Sequence, residues 1–262
     1  MEEHKIKIED SYCHVIKFGT GKRTLLILPG LSLCNFEGQG EDIAKAYDIF
    51  SSDFTCYMIN YRNRVHEGFS FEDIAEDIYN VCVELEIEHA YVYGVSMGGM
   101  VGLYTAQKND GYIDKLCVCS SMCKITQMMT EVGNKWIEYS KKHDVVGLNN
   151  YFFERVYSKE YLQSYENLLP ELAKRGSKEN CDRFSVLCEA IISFDIKNII
   201  RGVKTKTLVL GDKNDMVIGP DGSYEIADLL GCDIFMYDKY SHAVYDECPD
   251  IKNRIYDFMM RD

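Results

Sequence analysis

The 262-residue sequence predicts an α/β fold, a doubly wound and mostly parallel eight-stranded sheet interrupted by a helical insertion. Three observations carry that prediction. Up to Cys119, short apolar runs of strand character alternate with stretches of helical periodicity. In the middle of that rhythm, a β-prone Tyr91–Tyr93 run feeds Gly94-Val95-Ser96-Met97-Gly98, and a helix-compatible stretch from Met97 to Gln107 follows. From about Lys124 to Ile200 no convincing strand is visible, and strand character then returns.

Taken in order, Lys5–Glu9 and Tyr12–Phe18 read as a hairpin about Asp10-Ser11, and Gly19-Thr20-Gly21-Lys22 as a turn. Thr24–Leu28 is a continuous apolar run, as expected of a strand buried on both faces, and it ends at Pro29-Gly30. A helix is expected over Glu41–Phe50 and a strand over Thr55–Asn60. Ile74, Ile78, Val81 and Leu85 give Phe71–Leu85 helical spacing, with Ser70 placed to cap it. Lys115–Cys119 completes a βαβαβ rhythm, which argues for a parallel sheet begun by an antiparallel hairpin. Residues 124–200 are aromatic-rich and helical in pattern. They read as an insertion over the sheet, so the core comprises 1–123 and 201–262. Thr207–Leu210 and Asp233–Tyr237 supply the last strands, and Asp250–Met260 a closing helix.

Hydrophobic residues make up 46% and charged residues 27%, enough apolar material for a sizeable core. The formal net charge of −13 repels nucleic acid and anionic membranes, so neither is expected as a partner. No apolar run reaches the length of a membrane span. The start, MEEHKIKIED, lacks the basic and apolar regions of a signal peptide, so a cytoplasmic location is expected. Of eleven cysteines, Cys56, Cys82, Cys117 and Cys119 lie in apolar runs and read as reduced core thiols. No cysteine spacing fits a zinc site, and the phosphate-cradling glycine patterns are absent. Neither metal nor cofactor is expected.

The chemistry begins at Ser96. A strand, a small-x-Ser-x-small turn and a helix form the context in which the serine stands on a strained turn with its hydroxyl clear of the backbone. A serine hydroxyl needs a histidine base and a carboxylate to hold the histidine's tautomer. On such a sheet both are expected after later strands. Of six histidines, His4 and His14 lie in the early hairpin and His89 precedes its strand. His66 follows a strand and His143 lies in the insertion, so both could approach the serine. Only His242 occupies a loop after a late strand, which makes it the expected base. Asp212 and Asp215 both follow Thr207–Leu210. Asp215 is favoured because it precedes apolar Met216-Val217-Ile218, and Asp212 stays in play.

With these residues in place, the chain resembles the α/β-hydrolase fold family over nearly its whole length outside the insertion. Pro29-Gly30-Leu31-Ser32 resembles the family's His-Gly-x-x turn, Gly211-x-x-x-Asp215 with Pro220 its acid loop, and Ser241-His242 through Glu247-Cys248-Pro249 its His…Glu-x-Pro segment. Three departures stand out. Pro29 replaces a histidine, Asn60-Tyr61-Arg62-Asn63 replaces Asp-x-Arg-Gly, and the acid loop is one residue longer than usual. The resemblance implies an oxyanion hole built from the backbone N–H groups of Leu31 and Met97, and a helical cap over 124–200. Some of Met128, Trp136, Phe152 and Phe153 are expected to touch ligand there, and an apolar cavity would favour a small hydrophobic group. The function expected is that of a carboxylesterase-like serine hydrolase acting on a small-molecule ester, lactone or thioester. Acyl transfer or perhydrolysis with the same triad, and a small-molecule sensor with little turnover, are the alternatives.

Overall fold

The computed structural model describes residues 1–261. Strand β1 (Glu2–Ile8) turns back at Glu9-Asp10 into β2 (Ser11–Phe18), the antiparallel hairpin anticipated at that position. Then come β3 (Arg23–Leu28), helix α1 (Gly40–Ala46) and β4 (Phe54–Ile59). The helix expected to run to Phe50 stops early: Tyr47 leaves helical geometry and Asp48–Phe50 is a separate 3₁₀ turn. Helix α2 (Phe71–Glu84) opens on a capping box. Ser70 Oγ accepts the Asp73 amide at 3.1 Å, and the Asp73 carboxylate accepts the Ser70 amide at 2.7 Å. Next are β5 (Ala90–Val95), α3 (Met97–Lys108) and β6 (Ile113–Cys119).

Between β6 and β7 (Lys206–Asp212) the chain forms α4 (Gln127–Lys141), α5 (Val145–Val156), α6 (Lys159–Ser164), α7 (Leu169–Leu172) and α8 (Lys178–Ile192). An isolated antiparallel bridge between Lys124 and Asp195 closes the base of this segment. After β7 come α9 (Pro220–Leu230), β8 (Asp233–Tyr237), α10 (Val244–Glu247) and α11 (Ile251–Met260). Helix α9 lies in a stretch to which hydrophobic periodicity assigns no element. Its signals are at its ends: Pro220 begins it, and Gly231 closes it with a left-handed φ of 61°.

The eight strands lie in the order β1-β2-β4-β3-β5-β6-β7-β8. β1, β2 and β4 pair antiparallel, and every pairing from β4 to β8 is parallel. Alternation along the strands sorts the core into two layers. Leu26, Leu28, Val92 and Val118 pack with Ile74, Val101 and Ile226 from α2, α3 and α9. Leu25, Ile27, Tyr93, Cys117 and Cys119 pack on the other face with Phe50, Ile255 and Met259. Each such side chain contributes roughly 1.5–3 kcal/mol through burial. Cys56, Cys82, Cys117 and Cys119 are buried free thiols, as their apolar neighbours imply. Because β3, β5, β6, β7 and β8 run parallel, the loops after them gather at one edge of the sheet. Ser96 follows β5 there, Asp215 follows β7 and His242 follows β8.

Candidate active site

Ser96 joins β5 to α3 at φ 51° and ψ −116°, a conformation costly for a residue with a Cβ. The surroundings hold it there. Its amide donates to the Cys119 carbonyl at 2.8 Å, and its carbonyl accepts the Ser121 hydroxyl at 2.8 Å. The two glycines of the pentapeptide are required by close approach. A Cβ on Gly94 would collide with the Gly98 carbonyl, and a Cβ on Gly98 with that of Leu28.

His242 lies between β8 and α10 and is 3% exposed. Its Nδ1 is 2.8 Å from Asp215 Oδ2. Asp215 Oδ1 accepts the amides of Val217 at 2.8 Å and Ile218 at 2.9 Å, so the carboxylate is aimed by its own loop. With Asp215 as the acceptor, the ring nitrogen that faces it is the one placed to carry the proton. Nε2 has no protein partner among the described residues and is left available to accept a proton. Of the two aspartates that the sequence leaves open, Asp215 is the one in contact with His242. Asp212 faces elsewhere, accepting the amides of Asn214 at 2.8 Å, Lys239 at 3.3 Å and Tyr240 at 2.9 Å. It ties the end of β7 to the loop that carries His242.

Ser96 and His242 line the same cavity. His66 instead contacts the Glu67 carbonyl and the Phe69 ring, and His143 pairs with Asp182. Leu31 also lines the cavity, and Met97 is the first residue of α3. Neither backbone amide has a protein partner among the described residues. An N–H at a helix start is one of those the helix leaves unsatisfied, and it lies at the positive end of the helix dipole.

From the helical segment the cavity receives Met129, Trp136, Phe152, Val156 and Ile191. Met100, Val217, Ile218 and Tyr245 come from the sheet side. Among the described residues, no Lys, Arg, Asp or Glu lines it. Of the aromatics expected to touch ligand, Trp136 and Phe152 line the cavity and stack on each other at 5.2 Å. Met128 and Phe153 do not line the cavity. Each helical residue advances by about 100°, so Met129 rather than Met128 points inward, and Phe152 rather than Phe153. Tyr157 stacks on Tyr161 at 5.0 Å, and Tyr161 meets Tyr165 at a tilt at 4.9 Å, outside the cavity. Val217 and Ile218 were legible as an apolar pair beside the acid. Ser121, Met122 and Tyr245 carry no local signal that marks them as lining residues.

Comparison with known proteins agrees with this fold. A protein of Bacillus subtilis strain 168 named AB hydrolase superfamily protein YisY is 25% identical over 276 residues, spanning 97% of this chain and 98% of its own length. The alpha/beta hydrolase enzyme MGS-M2, from a Medee basin deep-sea metagenome library, superposes with a TM-score of 0.86 at 17% identity over 99% of this chain and 98% of its own. The enol-lactonase from Burkholderia xenovorans LB400 gives 0.81 at 20% identity over 98% and 100%. Among the described residues, no helix is long and apolar enough to cross a membrane. A sequence profile described as alpha/beta hydrolase fold matches residues 23–249. The chain belongs to the α/β-hydrolase fold family.

Proposed function

We propose that the chain is a carboxylesterase-like serine hydrolase that cleaves a small, uncharged ester, lactone or thioester through an acyl-enzyme on Ser96. The observation that carries this reading is the buried His242–Asp215 pair, 2.8 Å apart, whose imidazole shares a cavity with Ser96. His242 Nε2 takes the hydroxyl proton as Ser96 Oγ attacks the acyl carbon. The carbonyl oxygen becomes an oxyanion between the Leu31 and Met97 amides. His242 then returns the proton to the departing alkoxide or thiolate. Water attacks the acyl-enzyme in the same way, giving its proton to His242, which passes it to Ser96 Oγ as the acyl–oxygen bond breaks and the acid leaves. Asp215 holds the imidazole's tautomer and stabilises its charged form. Each oxyanion donor is worth roughly 3 kcal/mol of barrier.

The lining supports an uncharged substrate. A cavity without a cation gives a substrate carboxylate nothing to replace its lost hydration. Residues 124–200 act as the cap in this reading, with Trp136 and Phe152 meeting the acyl group. The cavity of ≈ 20 Å³ has room for about one water, so substrate entry requires these helices to shift. Eleven free thiols fit a reducing, cytoplasmic setting.

The test is covalent labelling by a fluorophosphonate together with hydrolysis of neutral and carboxylate-bearing p-nitrophenyl esters. Labelling that Ser96→Ala abolishes, with preference for the neutral esters, is expected. Folded wild-type protein that neither labels nor hydrolyses any ester would instead indicate a binding protein.

A further inference from the structure

We infer that Arg183 and Tyr61 form a positioning clamp on the loop that carries the Leu31 amide, through which the seating of α8 over the loops after β3 and β4 sets the geometry of the oxyanion hole. The inference rests on the acyl-transfer reading above.

Arg183 projects from α8 and is only 5% exposed. No carboxylate pairs with it among the described residues. Its donors go to backbone carbonyls: Nε to Arg62 at 2.8 Å, Nη2 to Tyr61 at 3.3 Å and Nη1 to Ser32 at 3.4 Å. Burial lowers its pKa to about 10, which leaves it charged at neutral pH. Burying an uncompensated cation is expensive, and an apolar side chain would fill the same space at less cost. What the guanidinium adds is reach, since one planar fork grips two separate loops.

One of those loops holds the other half of the clamp. Tyr61, 4% exposed, donates its hydroxyl to the Pro29 carbonyl at 2.6 Å. Pro29 and Ser32 flank Gly30-Leu31. Tyr61 therefore anchors the carbonyl before the Gly30–Leu31 peptide, and Arg183 anchors a carbonyl just after it. Arg183 also holds Tyr61 by its own carbonyl, which closes the chain of contacts from α8 to the oxyanion donor. The neighbouring Arg62 has a different task. Its Nε meets Asp77 at 2.7 Å and its Nη1 meets Glu9 at 2.8 Å, so it binds the sheet to α2 and the first hairpin.

The clamp acts on an N–H whose direction matters most when the oxyanion forms. A displacement of about 1 Å at such a point costs up to ~100-fold in rate. It should appear in kcat, leaving KM little changed, because the ground-state carbonyl uses the hole less. A thionoester offers a second readout. Sulfur is a weak hydrogen-bond acceptor, so a thionoester gains less from an intact hole than its oxygen counterpart. Loosening the hole narrows the difference between the two.

The experiment measures kcat and KM for a neutral p-nitrophenyl ester and its thionoester in wild type, Tyr61→Phe, Arg183→Met and Arg183→Lys, with melting temperature recorded for each. Tyr61→Phe, which removes only the hydroxyl, is expected to lower oxoester kcat about tenfold, leave KM unchanged and reduce the oxo-to-thiono ratio. Arg183→Met should move both quantities in the same direction, and Arg183→Lys should restore part of the loss. Should Arg183→Met fail to fold, Tyr61→Phe decides alone. Variants that melt earlier but keep wild-type kcat and ratio would overturn the clamp and leave the hydrolase reading standing. A wild-type protein without ester turnover or Ser96 labelling would take both down.

Discussion

Two buried histidines, each paired with a carboxylate, have opposite fates in this molecule. His242 Nδ1 is 2.8 Å from Asp215, and His14 Nε2 is 2.8 Å from Glu3. Both imidazoles are almost fully buried, at 3% and 2% exposure. Both carboxylates also accept two backbone amides, Val217 and Ile218 for Asp215, Gly38 and Gly40 for Glu3. By hydrogen-bond geometry alone they could not be told apart, although Asp215 is buried and Glu3 is exposed. The difference that bears on chemistry lies in the second ring nitrogen. That of His242 has no protein partner among the described residues and belongs to a ring lining the Ser96 cavity, whereas that of His14 lies 3.4 Å from the Asn60 amide. His14 sits inside β2, so its pair ties the first hairpin to the 38–40 turn. A histidine and an acid become a catalytic candidate only where a free nitrogen meets a nucleophile. Elsewhere the same pair is a fastening.

The largest effect should separate the two histidines. If the proposed triad acts as a unit, His242→Ala is expected to lower kcat by about 10⁶-fold. His14→Ala should leave kcat unchanged and lower the melting temperature. Steady-state kinetics and thermal denaturation on both variants check this, and a large kcat loss at position 14 would erase the distinction. Exchanging the acids comes next. Asp215→Asn should cost about 10⁴-fold in kcat, because an amide no longer selects the correct tautomer. Glu3→Gln should cost nothing in turnover, so an equal loss in both variants would break the comparison.

The smallest effect concerns pH. The Gly38 amide, followed by His14 and Gly40, holds the Glu3 carboxyl below its ordinary value of 4.5, against an opposing push from burial. A carboxyl depressed in the folded state contributes its stability above that ordinary value and loses it as pH falls through the folded value. The urea midpoint of wild type should therefore exceed that of Glu3→Gln at neutral pH, and the gap should close below pH 4.5. A gap unchanged on acidification would show that Glu3 contributes through packing alone.

Much of the fold is legible because its signals are local. The β5 run, the two glycines around Ser96 and the periodicity of α2 each reside within one element, where sterics and solvent act on neighbours in sequence. The order Ser96, acid, His242 follows once the strands are placed. Legibility fails where a decision joins distant segments. Helix α9 carries its evidence only in Pro220 and Gly231, and the Tyr47 break in the expected α1 has no breaker residue. Met128 and Phe153 miss the cavity by one residue each, since composition names a helix but not its rotation about its axis. Tyr61 and Arg183 look like an ordinary core tyrosine and a surface arginine until α8 is seated.

The sequence by itself determined the doubly wound sheet, the strained serine turn and the single late-loop histidine. Each follows from backbone sterics and apolar periodicity over a dozen residues or fewer. Only the tertiary structure decided that Asp215 rather than Asp212 reaches His242, which helix faces close over Ser96, and that His14 is a fastening. Those outcomes turn on hydrogen-bond distances between loops and helices far apart in the chain. Such distances are set by how whole elements pack, and no local pattern encodes them.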